Sequence, residues 1–335
     1  MTAFQPGGRY SSVSGIYRHF GGTRSIKVSG RFDEELVQSL PLSLRFVVHN
    51  GAGYDQLDIP SLSKRGIQVA NVPTVVNEAT ADTALFLLIG ALRQFPRAMG
   101  DLQKGVFHQQ FSFAQASDPE GLTLGIVGAG GIGRTLARKA AHALGMHVVY
   151  HNRHRLSEEL ETQGMPEGKK MEYALSLDSL LGQSDVVSIH CPLTPETKGL
   201  ISGPQFARMQ SHAVLINTAR GPIVDEEALV HALDHDVIAG AGLDVYANEV
   251  RVGSLFPAPH TPRPRASIDK QGLVAPACWH SQSTDADGHG GGVSAEPGAW
   301  TQYRAPAIHC QGARRSRSAC LGRTYTRNPK KRRTR

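Results

Sequence analysis

The chain has 335 residues, of which 40% are hydrophobic and 19% charged, enough for one large or two ordinary domains with their own cores. No run of eighteen apolar residues occurs and the start lacks a basic and then apolar stretch, so the reading excludes a membrane helix and a secretion signal and predicts a cytoplasmic protein. The four cysteines lack ligand spacing, which excludes a disulfide framework and predicts no metal site. The net charge of +7 resides in residues 251–335, which hold 15 of the 36 Lys+Arg and 4 of the 29 Asp+Glu, and the rest is mildly acidic.

Residues 1–30 carry little pattern and are expected to form a poorly ordered start. Asp33–Leu40 reads as a short helix and Leu44–His49 as a buried strand. The strand runs into Asn50-Gly-Ala-Gly-Tyr-Asp55, whose glycines allow backbone amides to face a ligand; the same text also suits an ordinary strand-to-helix turn. Ile59–Gly66 then reads as a helix with a glycine stop and Ile67–Asn71 as a strand. From Asn77 to Arg93 the apolar residues crowd nearly all round a helix, as in one buried between domains or subunits, and a dimer seam is expected there.

Leu122–Ala140 organises the chain. An apolar run breaks into Gly128-Ala-Gly-Gly-Ile-Gly133 and continues as a helix. Gly128, Gly130 and Gly133 stand at the G-x-G-x-x-G spacing, which permits the turn, backbone approach to a pyrophosphate, and close helix–strand packing. The phosphates belong on the free amides of the positive helix end, near Gly131 and Ile132. His147–Tyr150 is the next strand, and the position where NAD-binding units place an acidic residue offers Asn152 flanked by Arg153 and Arg155. Guanidinium groups pair with a 2′-phosphate where a carboxylate repels it, so NADP(H) is favoured over NAD(H); an exposed polar loop is the competing reading.

Leu177–Leu181 reads as a helix, followed by strands at Asp185–His190, Ala213–Asn217 and Ala239–Val245, with a helix at Glu226–Leu233. Alternating strands and helices predict an α/β fold with a doubly wound parallel sheet and ligands at the carboxyl ends of the strands. Those ends hold Cys191-Pro192, Thr218-Ala219-Arg220 and Asp244, with Glu249 beyond. We expect domains at 31–95 (incomplete, substrate-binding) and 96–250 (dinucleotide-binding), and a disordered basic tail at 251–335. The final Lys330–Arg335 run suits a nuclear-localisation or nucleic-acid patch, but the solvated terminus with no nucleic-acid partner is the favoured reading.

Residues from about Arg31 to Glu249 resemble the D-2-hydroxyacid dehydrogenases, most closely the glyoxylate/hydroxypyruvate reductase-like members, through four segments in the family's order: Asn50–Asp55, Val127–Gly133, Cys191–Thr197, and Asn217–Pro222 with Gly242–Glu249. The resemblance implies a Rossmann-type cofactor domain beside a smaller flavodoxin-like substrate domain, and a homodimer. It implies that amides near Ala52 and Gly53 hold the carboxylate of a small 2-oxo acid, and that Cys191, Pro192 and Thr197 border the adenosine. It makes Thr218 and Ala219 cofactor-binding and puts Asp244 near the nicotinamide amide, with Arg220 binding and polarising the substrate and Glu249 orienting a proton-donating histidine.

Two departures accompany it. By this resemblance the chain is expected to start inside the substrate domain, and after Glu249 the text lacks the family's Pro-His-x-Gly-Thr segment and closing helix. Reverse-translated and read one base later, Leu273–His280 permits Leu-Leu-Leu-Pro-His-Val-Gly-Thr, Thr284–Asp287 permits Gln-Thr-Gln-Thr, and His289–Gly292 permits Met-Glu-Glu-Glu. We therefore expect a frameshift or displaced exon boundary between Glu249 and Leu273, and an enzyme by ancestry whose turnover is impaired. The competing expectation is a non-catalytic dinucleotide-binding interaction protein like the co-repressors that share the fold.

Overall fold

Short apolar runs, many of them β-branched, form two separate parallel sheets. The structure is a computed structural model and describes residues 7–19, 30–103, 105, 116–247 and 272–274. In the first sheet β1 (Gly15–His19), β2 (Phe46–Asn50) and β3 (Gln68–Ala70) lie in that order, all parallel. Helices α1 (Glu34–Ser39) and α2 (Ile59–Lys64) connect them, capped by Asp33 and Asp58, whose carboxylates accept the amides of Leu36 and Ser61. Phe32, Val37, Leu44, Val47, Leu62 and Val69 form the core of this unit. On the other face Tyr17, Phe46 and Val48 stand exposed.

The second sheet has seven parallel strands ordered β10-β9-β8-β7-β4-β5-β6. These are β4 (Thr123–Val127), β5 (His147–His151), β6 (Glu172–Tyr173), β7 (Val186–Ile189), β8 (Val214–Asn217), β9 (Gly240–Leu243) and β10 (Gly272–Val274). Both faces are covered, and the alternation of side chains sorts neighbours into two layers. Leu124, Ile126, Val186, Val214 and Ile216 pack on one side, and Val127, Val187, Ile189 and Leu215 on the other. The order reverses between β4 and β7, so the loop after β4 opens into the crevice where such sheets bind ligands.

Three boundaries differ from those expected. Gly15–His19 is a strand although residues 1–30 read as patternless, because buried Arg18 and exposed Tyr17 invert the usual polarity. Helix α3 (Asn77–Leu92) belongs with the second sheet: Ala84, Leu87, Leu88 and Ala91 enter its core, so that unit takes up part of the segment assigned to 31–95. Strand β10 adds an edge to the same sheet from beyond residue 250. Further helices are α4 (Phe95–Gln103), α5 (Gly131–Ala143), α6 (Glu158–Thr162), α7 (Leu177–Gln183), α8 (Gly203–Phe206) and α9 (Glu226–Asp234). No helix of the described residues is long and apolar enough to cross a membrane.

Candidate functional site

The turn from β4 into α5 is a shallow cradle. Gly128 has φ 100°, and a Cβ there would stand 2.6 Å from the backbone nitrogen of Cys191. At Gly133 a Cβ would stand 2.6 Å from the Gly128 carbonyl oxygen, so this glycine sets how closely α5 lies on the strand. Gly130 differs, because nothing lies within 4 Å of where its Cβ would be. It faces open space over the first turn of α5, where the amides of Gly131, Ile132 and Gly133 have no intrahelical acceptor. Asn77, the first residue of α3, closes one side of the cradle, with its Nδ2 crowding Gly131 and its buried Oδ1 unpartnered.

At the end of β5 the Asn152 side-chain oxygen accepts the Ala129 amide at 2.8 Å, tying this loop to the cradle. Arg153 is exposed. Arg155, read from the sequence as a second phosphate ligand, gives its Nε and Nη2 to Glu161 at 2.7 and 3.0 Å. Across the groove Cys191 is half-buried, and burial pushes its thiol up to about 11. His190 beside it is pushed down to about 4 by burial, with Nε2 2.8 Å from the Ser188 hydroxyl. The Thr197 hydroxyl turns back to the Pro192 carbonyl at 2.7 Å and so holds the 192–197 loop closed.

Arg220 leaves β8 and crosses to the first sheet. Asn217 shapes its turn: the side-chain amide donates to the Arg220 carbonyl at 3.0 Å and its oxygen accepts the Ala219 amide at 3.0 Å. The guanidinium donates Nη1 to the Ala219 carbonyl at 2.7 Å and Nε to Asp55 at 2.9 Å, and Nη2 fills the space where a Cβ on Gly53 would stand. The carbonyls of Ala52 and Gly53 are turned away, to the Asn71 side chain at 2.9 Å and to His49 Nε2 at 2.9 Å. Because the peptide is trans, the Gly53 amide points away from Asn71. Thr218 and Asp244 lie buried at the carboxyl ends of β8 and β9, with the Thr218 hydroxyl unpartnered. The Asp244 amide donates to the Asn217 carbonyl at 3.0 Å. Tyr246 close by has its phenol pushed up by burial and then by the Asp244 charge.

His49 has one tautomer available. Arginine only donates, so Nδ1, 3.4 Å from Arg18 Nη1, is the acceptor and Nε2 carries the hydrogen given to Gly53. Burial keeps this imidazole below its ordinary pKa, and the Arg18 and Arg220 charges add to that. Arg18 is itself buried, its guanidinium 5.5 Å from the centre of the Phe32 ring.

The structure thus brings Ala52, Gly53 and Arg220 together on one side and the Gly128–Gly133 cradle with Asn152 on the other. Glu249 and the histidines of the tail lie outside the described residues. Sequence reasoning missed His49, Asp55, Asn77 and Asn217; of these Asp55 carried a signal, as an acid closing a glycine loop opposite an arginine. No group of three or more His, Cys, Asp or Glu suited to a metal occurs among the described residues.

Comparison with known proteins gives the same architecture a lineage. The model for the D-isomer specific 2-hydroxyacid dehydrogenase NAD binding domain matches residues 85–270. The chain is 45% identical over 242 residues to 4-methyl-2-oxopentanoate reductase A of Aspergillus oryzae, covering 72% of this chain and 69% of that one. It is 42% identical over 250 residues to glyoxylate reductase 1 of Saccharomyces cerevisiae, covering 74% and 68%. A glyoxylate reductase structure from Paecilomyes thermophila aligns with TM-score 0.70 and 41% identity over 81% of this chain and 75% of that chain. The NADPH-dependent glyoxylate/hydroxypyruvate reductase of Sinorhizobium meliloti, solved with NADP and malonate, aligns with TM-score 0.65 and 31% identity over 84% and 78%. With a family model matched over more than half of its residues and relatives of this identity over about two thirds of both partners, the chain belongs to the D-isomer specific 2-hydroxyacid dehydrogenase family.

Proposed function

We propose that the site reduces a small 2-oxo acid of the glyoxylate or hydroxypyruvate type to the D-2-hydroxy acid, with NADP(H) preferred to NAD(H). The observation that carries this reading is the delivery of Arg220 from β8 to Gly53 and Asp55 of the glycine loop, whose amides at Ala52 and Gly53 are the proposed carboxylate seat. A carboxylate can accept from those amides while the guanidinium fork binds it and polarises the neighbouring carbonyl. The residues fit a dinucleotide: Gly130 leaves room above the helix end, the buried Asn77 Oδ1 stands beside it, and neither that atom nor the Thr218 hydroxyl at the end of β8 has a hydrogen-bond partner among the described residues. When bound, the nicotinamide supplies the hydride for the keto carbon. Gly128–Gly133 hold its pyrophosphate, Cys191, Pro192 and Thr197 border its adenosine, and Ala219 and Asp244 lie at the nicotinamide end. Preference for NADP(H) is supported by Asn152 and Arg153 where a ribose-binding carboxylate is otherwise placed, and by the solved NADP complex of a relative.

We further propose that turnover by this chain is impaired. Among the described residues His49 is the histidine that feels the Arg220 charge, and its Nε2 is given to the Gly53 carbonyl while Nδ1 faces Arg18, so neither ring nitrogen is free to pass a proton to substrate. A general acid is typically worth about two to four orders of magnitude in rate. The non-catalytic, dinucleotide-dependent binding protein is the second reading, favoured by that same commitment of His49. We also propose a cytoplasmic protein and a homodimer seam along α3 and α4, where Phe86, Phe95, Met99 and Leu102 stand exposed.

Spectrophotometry with NADPH and glyoxylate or hydroxypyruvate tests the assignment. Saturable NADPH binding with slow, glyoxylate-dependent oxidation is expected. NADPH binding with no oxidation favours the second reading, and absence of dinucleotide binding overturns both.

A further inference from the structure

The loop that faces the adenosine end is held by a buried carboxylate that no cofactor contact explains. Glu161 sits in α6, fully buried against β5. It accepts the Tyr150 hydroxyl at 2.6 Å, Arg155 Nε at 2.7 Å and Arg155 Nη2 at 3.0 Å. The Tyr150 hydroxyl in turn accepts the Leu156 amide at 2.9 Å, which closes residues 150–156 into a ring around one carboxylate. The Arg155 fork holds Glu161 at about 2, so the pair is charged at any working pH.

His151 Nδ1 is tied to the Ala174 carbonyl at 2.9 Å, and the Tyr173 hydroxyl donates to the Asn152 carbonyl at 3.2 Å. The Asn152 side chain is spent on the cradle through Ala129. Arg153 and His154 are left exposed at the apex. Arg153 lies near enough to Glu196, in the loop across the groove, to draw that carboxyl down, second to hydrogen bonds from Thr194 and the local backbone. Arg155, by contrast, has the edge of its fork turned inward.

We infer that Glu161 is the positioning residue for cofactor choice: by taking the Arg155 fork and the Tyr150 hydroxyl it fixes the loop so that Arg153 meets the 2′-phosphate. Arg155 is then a strut and not a phosphate ligand. This rests on the proposed NADP(H) preference and adds which residues create it.

The test is fluorescence titration of the full chain with NADPH and with NADH, for the wild type and for Arg153→Ala, Arg155→Ala, Glu161→Gln, Tyr150→Phe and the Arg155→Ala/Glu161→Gln double variant. Loss of one charge-assisted phosphate contact lowers affinity about tenfold, so Arg153→Ala is expected to weaken NADPH by that factor and leave NADH within about twofold. Glu161→Gln and Arg155→Ala are expected to lower the NADPH/NADH ratio by similar, smaller factors, and the double variant no further, since both break one device. Tyr150→Phe keeps the ring in the core and shifts the ratio in the same direction, which preserves the test should Glu161→Gln fail to fold. An unchanged ratio in Glu161→Gln and Tyr150→Phe, or equal weakening of both dinucleotides, overturns the inference alone. A larger loss in Arg155→Ala than in Arg153→Ala overturns it by making Arg155 the phosphate contact. A wild type with no preference for NADPH overturns the cofactor reading and the inference with it.

Discussion

Replacing Gly53 by alanine separates the seat of Arg220 from the stability of the fold. The added Cβ would stand 1.9 Å from Arg220 Nη2 and 2.8 Å from its Cζ, so the guanidinium must leave. Backbone strain is not an issue, since Gly53 is absent from the positive-φ glycines. What the fold loses is the pair between Arg220 and Asp55, whose side chains are 36% and 20% exposed. Such partly solvated pairs are worth about 0.5–1 kcal/mol, and a domain of this size then melts about 1–4 °C lower. Binding loses far more: an arginine–carboxylate hydrogen bond is worth about 1.5–3 kcal/mol, or about ten- to a hundredfold in affinity. Oxamate, an unreactive 2-oxo acid analogue, titrated calorimetrically into the NADPH-saturated chain reads the second effect, and thermal unfolding reads the first. Unchanged oxamate affinity in Gly53→Ala would refute the placement of Arg220 over this loop.

Gly221→Ala makes the opposite expectation, because its Cβ would meet backbone, 1.9 Å from the Tyr246 carbonyl carbon and 2.2 Å from the Ala247 nitrogen. Neither can swing aside, so a loss of about 1–3 kcal/mol or more is expected in urea unfolding, and wild-type stability would contradict it. Acid should weaken the fold in two stages. His190, depressed from 6.5 to about 4, is neutral when folded and takes a proton on unfolding, so stability falls as pH drops from 6.5 towards 4; His190→Gln should remove this stage from a melting-temperature profile. Glu161, depressed from 4.5 to about 2, contributes stability that is complete above 4.5 and lost as pH falls towards 2; a Glu161→Gln profile as steep as the wild type's there would contradict the buried pair.

The strands around the cradle were legible because each is an apolar run buried on both faces, and glycine spacing marked the turn between them. Strands β1 and β6 were not: one carries a buried arginine, and the other has two residues. Helix α3 was legible as a buried helix, yet sequence adjacency assigned it to the wrong core, since its partners Leu136 and Ile216 lie far along the chain. At the site, residue types announced Gly53 and Arg220, while the contact that joins them through Asp55 spans 165 residues and has no local signature. Arg155 shows the converse. Its charge suggested a phosphate, and a glutamate six residues on, with no helical pattern to mark it as buried, already holds it.

The central claim is that the turn after β4 holds a nicotinamide dinucleotide, and Gly130 tests it most directly. Its Cβ position is empty to 4 Å and its φ is −76°, so the fold itself does not require glycine there. NADPH titration of Gly130→Val beside the wild type is expected to show at least about a tenfold loss of affinity with an unchanged melting temperature, because the side chain occupies the path of the pyrophosphate to the α5 amides. NADPH affinity equal to the wild type's in a normally folded Gly130→Val chain would contradict the account.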